Sequence, residues 1–349
     1  MESVLFISIL GLLIFGVLFW GFRTLPKEKW QMVAALPKEK NQHGQWTGLN
    51  LTWYGLLSAN AYTFGVAILI VLAASAGIHV PALVLLTVLF LAVTIPSSKI
   101  IARLVEKKAG TLTVGGAVFA GALTAPWIIV GVNRTFGEMF GFTVPVLMML
   151  SAISIGYTFG EGLGRLACLS FGCCYGKPLC QCSQPTQKLF SRFYVVFSGD
   201  TKKAAYADGF DGEKMLPIQI ITAGLYSITG LLGTLLFLNG FAGTALILTI
   251  LVTQVWRVVS EFFRADFRGT LSFSWYQIMA LCAVFYMVLM RFVFPVQDAA
   301  VDLGLGLSTL WHPGMILFLQ MVWILSFLHS GRSSVTDSRI VFNVVRDKI

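Results

Sequence analysis

The stretch GEGLGRLACLSFGCCYGKP, Gly160 to Pro178, closes one apolar run and opens the longest polar segment of the chain. It combines an acid, an arginine, several glycines and three cysteines within two turns of a hydrophobic run. The apolar runs before it read as membrane spans leading to this stretch. After it, a later run ends in a second arginine and acid, in WRVVSEFFR.

Outward from this stretch, the composition fixes the class. The 349 residues are 56% hydrophobic and 12% charged, whereas soluble domains carry about 25% charged residues. Apolar runs long enough to span a bilayer recur, which predicts an all-α, polytopic membrane protein. A β-barrel would instead show short alternating segments. The net charge of +9 belongs to the loops. No basic patch alternates with stacking aromatics, so a nucleic-acid partner is not expected.

Nine spans are predicted, at 3–22, 52–76, 80–97, 112–132, 143–164, 217–238, 243–263, 274–294 and 313–329. The first run, Val4 to Trp20, lacks a basic leader and a small-residue cleavage site, so it reads as a retained span rather than a signal peptide. A polar segment follows with a short echo, LPKEK at Leu25–Lys29 and again at Leu36–Lys40. It predicts two turns flanking a short interfacial helix over Trp30–Ala35. Trp46, Trp53 and Tyr54 read as interface anchors for the second span. No inverted repeat or broken pair of spans suggests a transporter.

These spans sort the loops onto two sides. Of 25 Lys and Arg residues, only Arg134 and Arg291 fall on the side holding the N-terminus. The positive-inside bias therefore places the Gly160–Pro178 stretch, the loop 165–216 and the C-terminus on the cytoplasmic side.

Several residues are candidates for chemistry. Arg165 is either a snorkelling anchor at a span end or a clamp on a lipid phosphate, which a guanidinium matches bidentately. Arg257 and Glu261 are four apart and share a helix face late in an apolar run. They form either an internal ion pair or part of a polar cavity. Arg264 adds a further cation one turn on. Tyr54 is an interface residue or a phosphate donor. Gly115 and Gly116 mark close helix approach or backbone open to a ligand. Cys168, Cys173, Cys174, Cys180 and Cys182 do not match standard zinc-finger spacing, and His43, His79, His312 and His329 are distant in sequence. Structural thiols, a metal or iron–sulfur site, and a disulfide or reactive thiol all remain open. A cytoplasmic loop disfavours stable disulfides.

Read together, these motifs resemble the prolipoprotein diacylglyceryl transferase family over about residues 50 to 290. LTWYGL is similar to its WYG motif and TLTVGGAVFAG to its His-Gly-Gly segment. GRLACLSFGCCYG aligns without gaps on its Gly-Arg signature. MLPIQIITAGLY resembles its His-Pro-x-Gln-Leu-Tyr-Glu segment, WRVVSEFFR its Arg-x-x-x-Glu-Phe-x-Arg, and SFSWYQIMAL the segment opening the last span. The resemblance implies a seven-helix transferase-like core over 51–294. An extra N-terminal helix and polar segment (1–50) and an extra C-terminal helix and polar tail (295–349) would flank it. It also implies transfer of diacylglyceryl from phosphatidylglycerol, or another anionic phospholipid, to a lipoprotein precursor's cysteine in the bacterial cytoplasmic membrane, with no cofactor and no metal. Tyr54, Arg257 and Glu261 would be catalytic, and Arg165, Gly176 and Arg264 would bind the lipid phosphate.

The chain departs from the family pattern at defined positions. Val114 stands for the family histidine, Cys168 for the signature asparagine and Cys173 for the signature glutamate. Leu216 and Ile221 replace a histidine and a tyrosine. Glu161 and Glu261 are the acids left near the motifs. The family's catalytic loops face outward, opposite to the charge bias. Two alternatives stay open: a relative with a different acceptor on the cytoplasmic side, and a non-catalytic protein holding a metal on Cys168, Cys173 and Cys174.

Overall fold

A computed structural model describes residues 2–106, 113–266, 273–295 and 301–349. Among them, nine helices are long and apolar enough to cross a membrane. They are α1 (Glu2–Thr24), α2 (Trp53–Ser75), α3 (Val80–Glu106), α4 (Val114–Val132), α5 (Val146–Phe171), α6 (Ile218–Leu238), α7 (Ala242–Glu261), α8 (Trp275–Val293) and α9 (Pro313–Ser330). The protein is thus a polytopic helical membrane protein. Residue 112, at the predicted start of the fourth span, lies outside the described residues, as do Lys107, Lys108 and Arg268 of the charge count.

Two helices run longer than their sequences suggest. α3 passes Pro96 and continues to Glu106. Beyond that proline, Ser98 Oγ donates to the Thr113 carbonyl and accepts from its N–H, both at 2.8 Å. α5 does not stop at Arg165 but runs on to Phe171. Arg165 is paired with Glu161 one turn earlier, so the helix carries the charge internally. It stops at Gly172, whose φ of 72° is left-handed and suits glycine at a helix C-terminus.

The polar segment after α1 is not the predicted interfacial helix. Glu28–Trp30 makes one 3-10 turn, and Met32–Lys40 is strand β1. A turn closed by Asn41, whose Oδ1 accepts from His43 N and Gln45 N, leads into β2 (Trp46–Thr52). The C-terminal tail supplies β5 (Arg332–Ile340), and the antiparallel order is β1-β2-β5. Between β2 and β5 in the chain, β3 (Val195–Val196) and β4 (Lys214–Met215) form a two-residue ladder in the long polar loop.

The helices pack around α5, of which 78% of the spanning window is buried, against 6% for the peripheral α9. Gly65 of α2 and Gly156 of α5 make the central crossing. A Cβ at either would lie 2.6 Å from the other's carbonyl oxygen, so only glycine permits this approach. Phe64 and Phe159 add an edge-to-face contact at 5.7 Å. The ends of α1, α5, α7 and α9 meet the starts of α2 and α8 at one end of the bundle. There, Trp53 N donates to Gln31 O, Thr52 N to Gly331 O, Lys177 N to Phe263 O and Gln277 Nε2 to Val258 O.

Candidate functional site

At that end, α5 and α7 bring four polar side chains together inside the bundle. Glu161 is the centre. Arg257 Nη2 donates to its two carboxylate oxygens at 2.6 and 2.7 Å, and Arg165 Nη2 donates to Oε1. Tyr157, one turn earlier on α5, donates its hydroxyl to Glu161 Oε2 and accepts from Arg257 Nη2 at 3.1 Å. Gln254 Nε2 reaches Tyr157 Oη at 3.3 Å, and Tyr226 of α6 donates to the Thr253 carbonyl at 2.7 Å. The spacing explains the local order. Tyr157, Glu161 and Arg165 are successive i, i+4 neighbours on one face of α5.

Two guanidiniums therefore share one carboxylate, leaving a net positive charge in a low-dielectric place. Both arginines keep a buried Nε with no partner. A buried donor without a partner is costly, and arginine donors beside an unbalanced charge suit an anion with several oxygens.

The acid on Arg257 is thus Glu161, 96 residues away in sequence, rather than Glu261. Glu261 ends α7 and keeps a buried, unpartnered Oε1. Glu161, Tyr157, Tyr226 and Gln254 were not among the site residues expected from sequence. The sequence showed Glu161 as an acid near the motifs, one helical turn before Arg165, but not its contact with Arg257.

A second group lies at the C-terminal end of α5. The carbonyl of Cys168 accepts from Gly172 N at 2.9 Å and from Cys173 N at 3.1 Å. This folds the chain back, so that the sulfurs of Cys168, Cys173 and Cys174 all lie within 4.8 Å of one another. Cys174 has a φ of 56°, the one left-handed non-glycine among the described residues. Gln219 Nε2 donates to the Cys173 carbonyl at 3.0 Å. The neighbouring thiols of Cys168 and Cys174, together with burial, push the Cys173 thiol well above its usual range. Cys180 is exposed, Cys182 Sγ contacts the Pro178 carbonyl at 3.4 Å, and no cysteine pair is bridged.

The remaining expected residues sit around these groups. Tyr54, in the first turn of α2, packs edge-to-face on Phe171 at 5.5 Å and lies in electrostatic reach of all three thiols. Arg264 engages Asp266 through two bonds of 2.8 Å, so its fork already has a carboxylate partner. Gly176 pairs with Arg264 in an antiparallel bridge. A Cβ there would lie 2.5 Å from the Leu216 carbonyl oxygen, which accounts for this glycine by packing. Gly115 backs onto Arg257, with its would-be Cβ 3.3 Å from Nη1. Below the turn, the buried Lys202 Nζ donates to Ser170 O at 2.5 Å and Leu25 O at 3.1 Å, tying the ends of α5 and α1.

Fold and site define a polytopic helical membrane protein with a buried arginine–carboxylate cluster at one end of its bundle. Residues 44–293 match the family of prolipoprotein diacylglyceryl transferases, and the chain belongs to that family. The matched region takes in β2 and α2 to α8, while α1, β1, α9 and β5 lie outside it. A search of curated proteins returns no match.

Proposed function

We propose that the protein is a lipid transferase of the bacterial cytoplasmic membrane. It moves diacylglyceryl from phosphatidylglycerol to a cysteine thiol of a lipoprotein precursor and releases glycerol phosphate. The observation that carries this reading is the pair of arginines on Glu161, each with an unpartnered buried Nε. Family membership supplies the reaction class.

The chemistry follows from the charges. The acceptor sulfur attacks the glyceryl carbon that bears the phosphate ester. The carbon–oxygen bond breaks, and its electron pair leaves on the phosphate oxygen. Donors fixed beforehand toward that oxygen lower the barrier without reorganising. Arg165 and Arg257 take this role, held in place by Glu161 and Tyr157. Both oxygens of Glu161 are occupied by arginine and tyrosine donors, so it serves as an anchor rather than a base. Glu261, with an open oxygen, is the base that receives the thiol proton. Tyr54 borders the acceptor side, and Arg264 and Gly176 tie the chain after α5 to the chain after α7.

The direct test presents purified protein with phosphatidylglycerol labelled in its diacylglyceryl part and a cysteine-containing lipobox peptide. The expected result is labelled peptide and glycerol phosphate in equal amounts. No labelled peptide, together with failure to complement a transferase-depleted strain, would remove lipoprotein acylation.

The basic loops favour a second reading of the acceptor. Lys and Arg concentrate at the end that carries the site, which makes that end cytoplasmic by the positive-inside rule. The acceptor thiol would then belong to a cytoplasmic-side protein. Labelling the exposed Cys180 in intact cells, in a Cys282→Ser background, separates the two. Reaction with an impermeant reagent supports an outward site. Reaction only after permeabilisation supports the cytoplasmic acceptor.

A further inference from the structure

The three sulfurs at the end of α5 are arranged as a ligand set. Cys168 and Cys173 are joined through the helix-terminal carbonyl that both Gly172 N and Cys173 N contact. Cys174 follows in a left-handed conformation, which costs a non-glycine residue about 1–2 kcal/mol. A packed thiol triangle needs no such backbone, and strain of this kind collects at functional positions. The turn is held from outside by Gln219 on the Cys173 carbonyl, and by Tyr175 O and Lys177 N on the 263–265 backbone.

We propose that Cys168, Cys173 and Cys174 bind one zinc ion whose fourth position is kept for the acceptor thiol. Zinc–sulfur bonds of about 2.3 Å set sulfurs about 3.8 Å apart in a tetrahedral face. The observed limit of 4.8 Å is within a small side-chain rotation of that. Among the described residues, no fourth cysteine, histidine or carboxylate joins the group. Structural zinc sites close with four protein ligands, whereas reactive ones keep three and leave a position open. Three thiolates and one zinc carry a charge of about −1. Arg165 lies in electrostatic reach of Cys168 and Cys174, and Arg264 in reach of Cys174, so the complex is compensated.

The inference rests on the transferase reading for its chemistry. The incoming thiol binds zinc and loses its proton to Glu261. The zinc-bound thiolate attacks the glyceryl carbon, the carbon–oxygen bond breaks, and glycerol phosphate leaves and takes that proton. The thioether formed is a weaker zinc ligand and departs. No atom changes oxidation state.

The test is purification under argon, without chelators or a histidine tag, followed by elemental analysis and thiol titration. The expected content is about one zinc per chain in wild type and in the Cys180→Ser, Cys182→Ser, Cys282→Ser protein. Cys168→Ser, Cys173→Ser and Cys174→Ser should each lower zinc affinity by about tenfold or more. Cys174→His keeps a ligand. It should retain zinc and, with cobalt in its place, shift the sulfur-to-cobalt absorption, which guards against loss by misfolding. Adding a cysteine peptide to the cobalt protein should change that spectrum, and the serine peptide should not. Wild type without zinc, copper in its place, or two missing thiols would overturn the site. So would a cobalt spectrum indifferent to the thiol peptide. Zinc-free protein that still lipidates peptide sinks the zinc alone. Zinc-loaded protein that lipidates nothing sinks the transferase reading and leaves the metal site standing.

Discussion

The charged group on Glu161 and the thiol group on Cys168 share one helix but are built in opposite ways. Tyr157, Glu161 and Arg165 sit in regular helix, and their partner Arg257 comes from another helix far along the chain. Their geometry is fixed by packing. The thiols sit where the helix stops, and their geometry is fixed by a glycine C-terminus and a left-handed Cys174. The first group carries an excess of positive charge and spare N–H donors, while the second gathers three soft sulfurs, with Arg165 in electrostatic reach of Cys168 and Cys174. One is suited to hold an anion and the other a soft cation. That division fits a reaction in which a phosphate leaves and a sulfur arrives.

The comparison predicts that removing the shared acid has the largest effect. Glu161→Gln leaves two guanidiniums facing each other in the interior, and breaking such a pair costs about 3–5 kcal/mol. Denaturant unfolding in detergent should register that loss, whereas Glu261→Gln should change stability by less than about 1 kcal/mol while lowering transfer. Equal destabilisation by the two would erase the distinction between anchor and base.

Cys174→Gly sharpens the other half. Glycine relieves the left-handed backbone, so the stability of the metal-free protein should rise by about 1 kcal/mol, even as a sulfur is lost. A drop in the metal-free protein would mean that the thiol's packing outweighs the backbone strain, whereas a drop confined to zinc-loaded protein is the loss of a ligand.

The smallest effect concerns Lys202, which closes the thiol end. Burial lowers its pKa from 10.5 to about 8, with Glu28 partly opposing. The unfolded chain therefore binds the proton more tightly, and this group's contribution to stability rises with pH between about 8 and 10.5. Thermal unfolding of wild type relative to Lys202→Met should show that rise. Parallel curves across the window would contradict it.

The nine spans were legible because a bilayer demands long apolar runs separated by polar or short loops. Arg165 misled the reading of α5, since a charge at the end of an apolar run looks like a boundary until its acid is seen one turn earlier. Trp30–Ala35 looked helical because β1 is held by β2, which pairs on its other edge with β5 from the far end of the chain, and short local pattern does not carry that pairing. Glu261 looked like the partner of Arg257 for the same reason: i, i+4 neighbours are visible in sequence, and a contact between α5 and α7 is not. The cysteines were legible as a cluster. Cys168, Cys173 and Cys174 were named there as a possible metal set, and the end of α5 at Gly172 brings their sulfurs together.

The most direct measurement is the rate of glycerol phosphate release from phosphatidylglycerol by wild type and Arg257→Lys, with a thiol peptide as acceptor. Lysine keeps the charge but not the planar guanidinium, whose Nη2 contacts both Glu161 oxygens and whose Nε is spare. Loss of one such donor should lower turnover by about 10²- to 10³-fold with the fold retained. Turnover within about twofold of wild type would contradict the assignment of the arginine pair to the leaving phosphate.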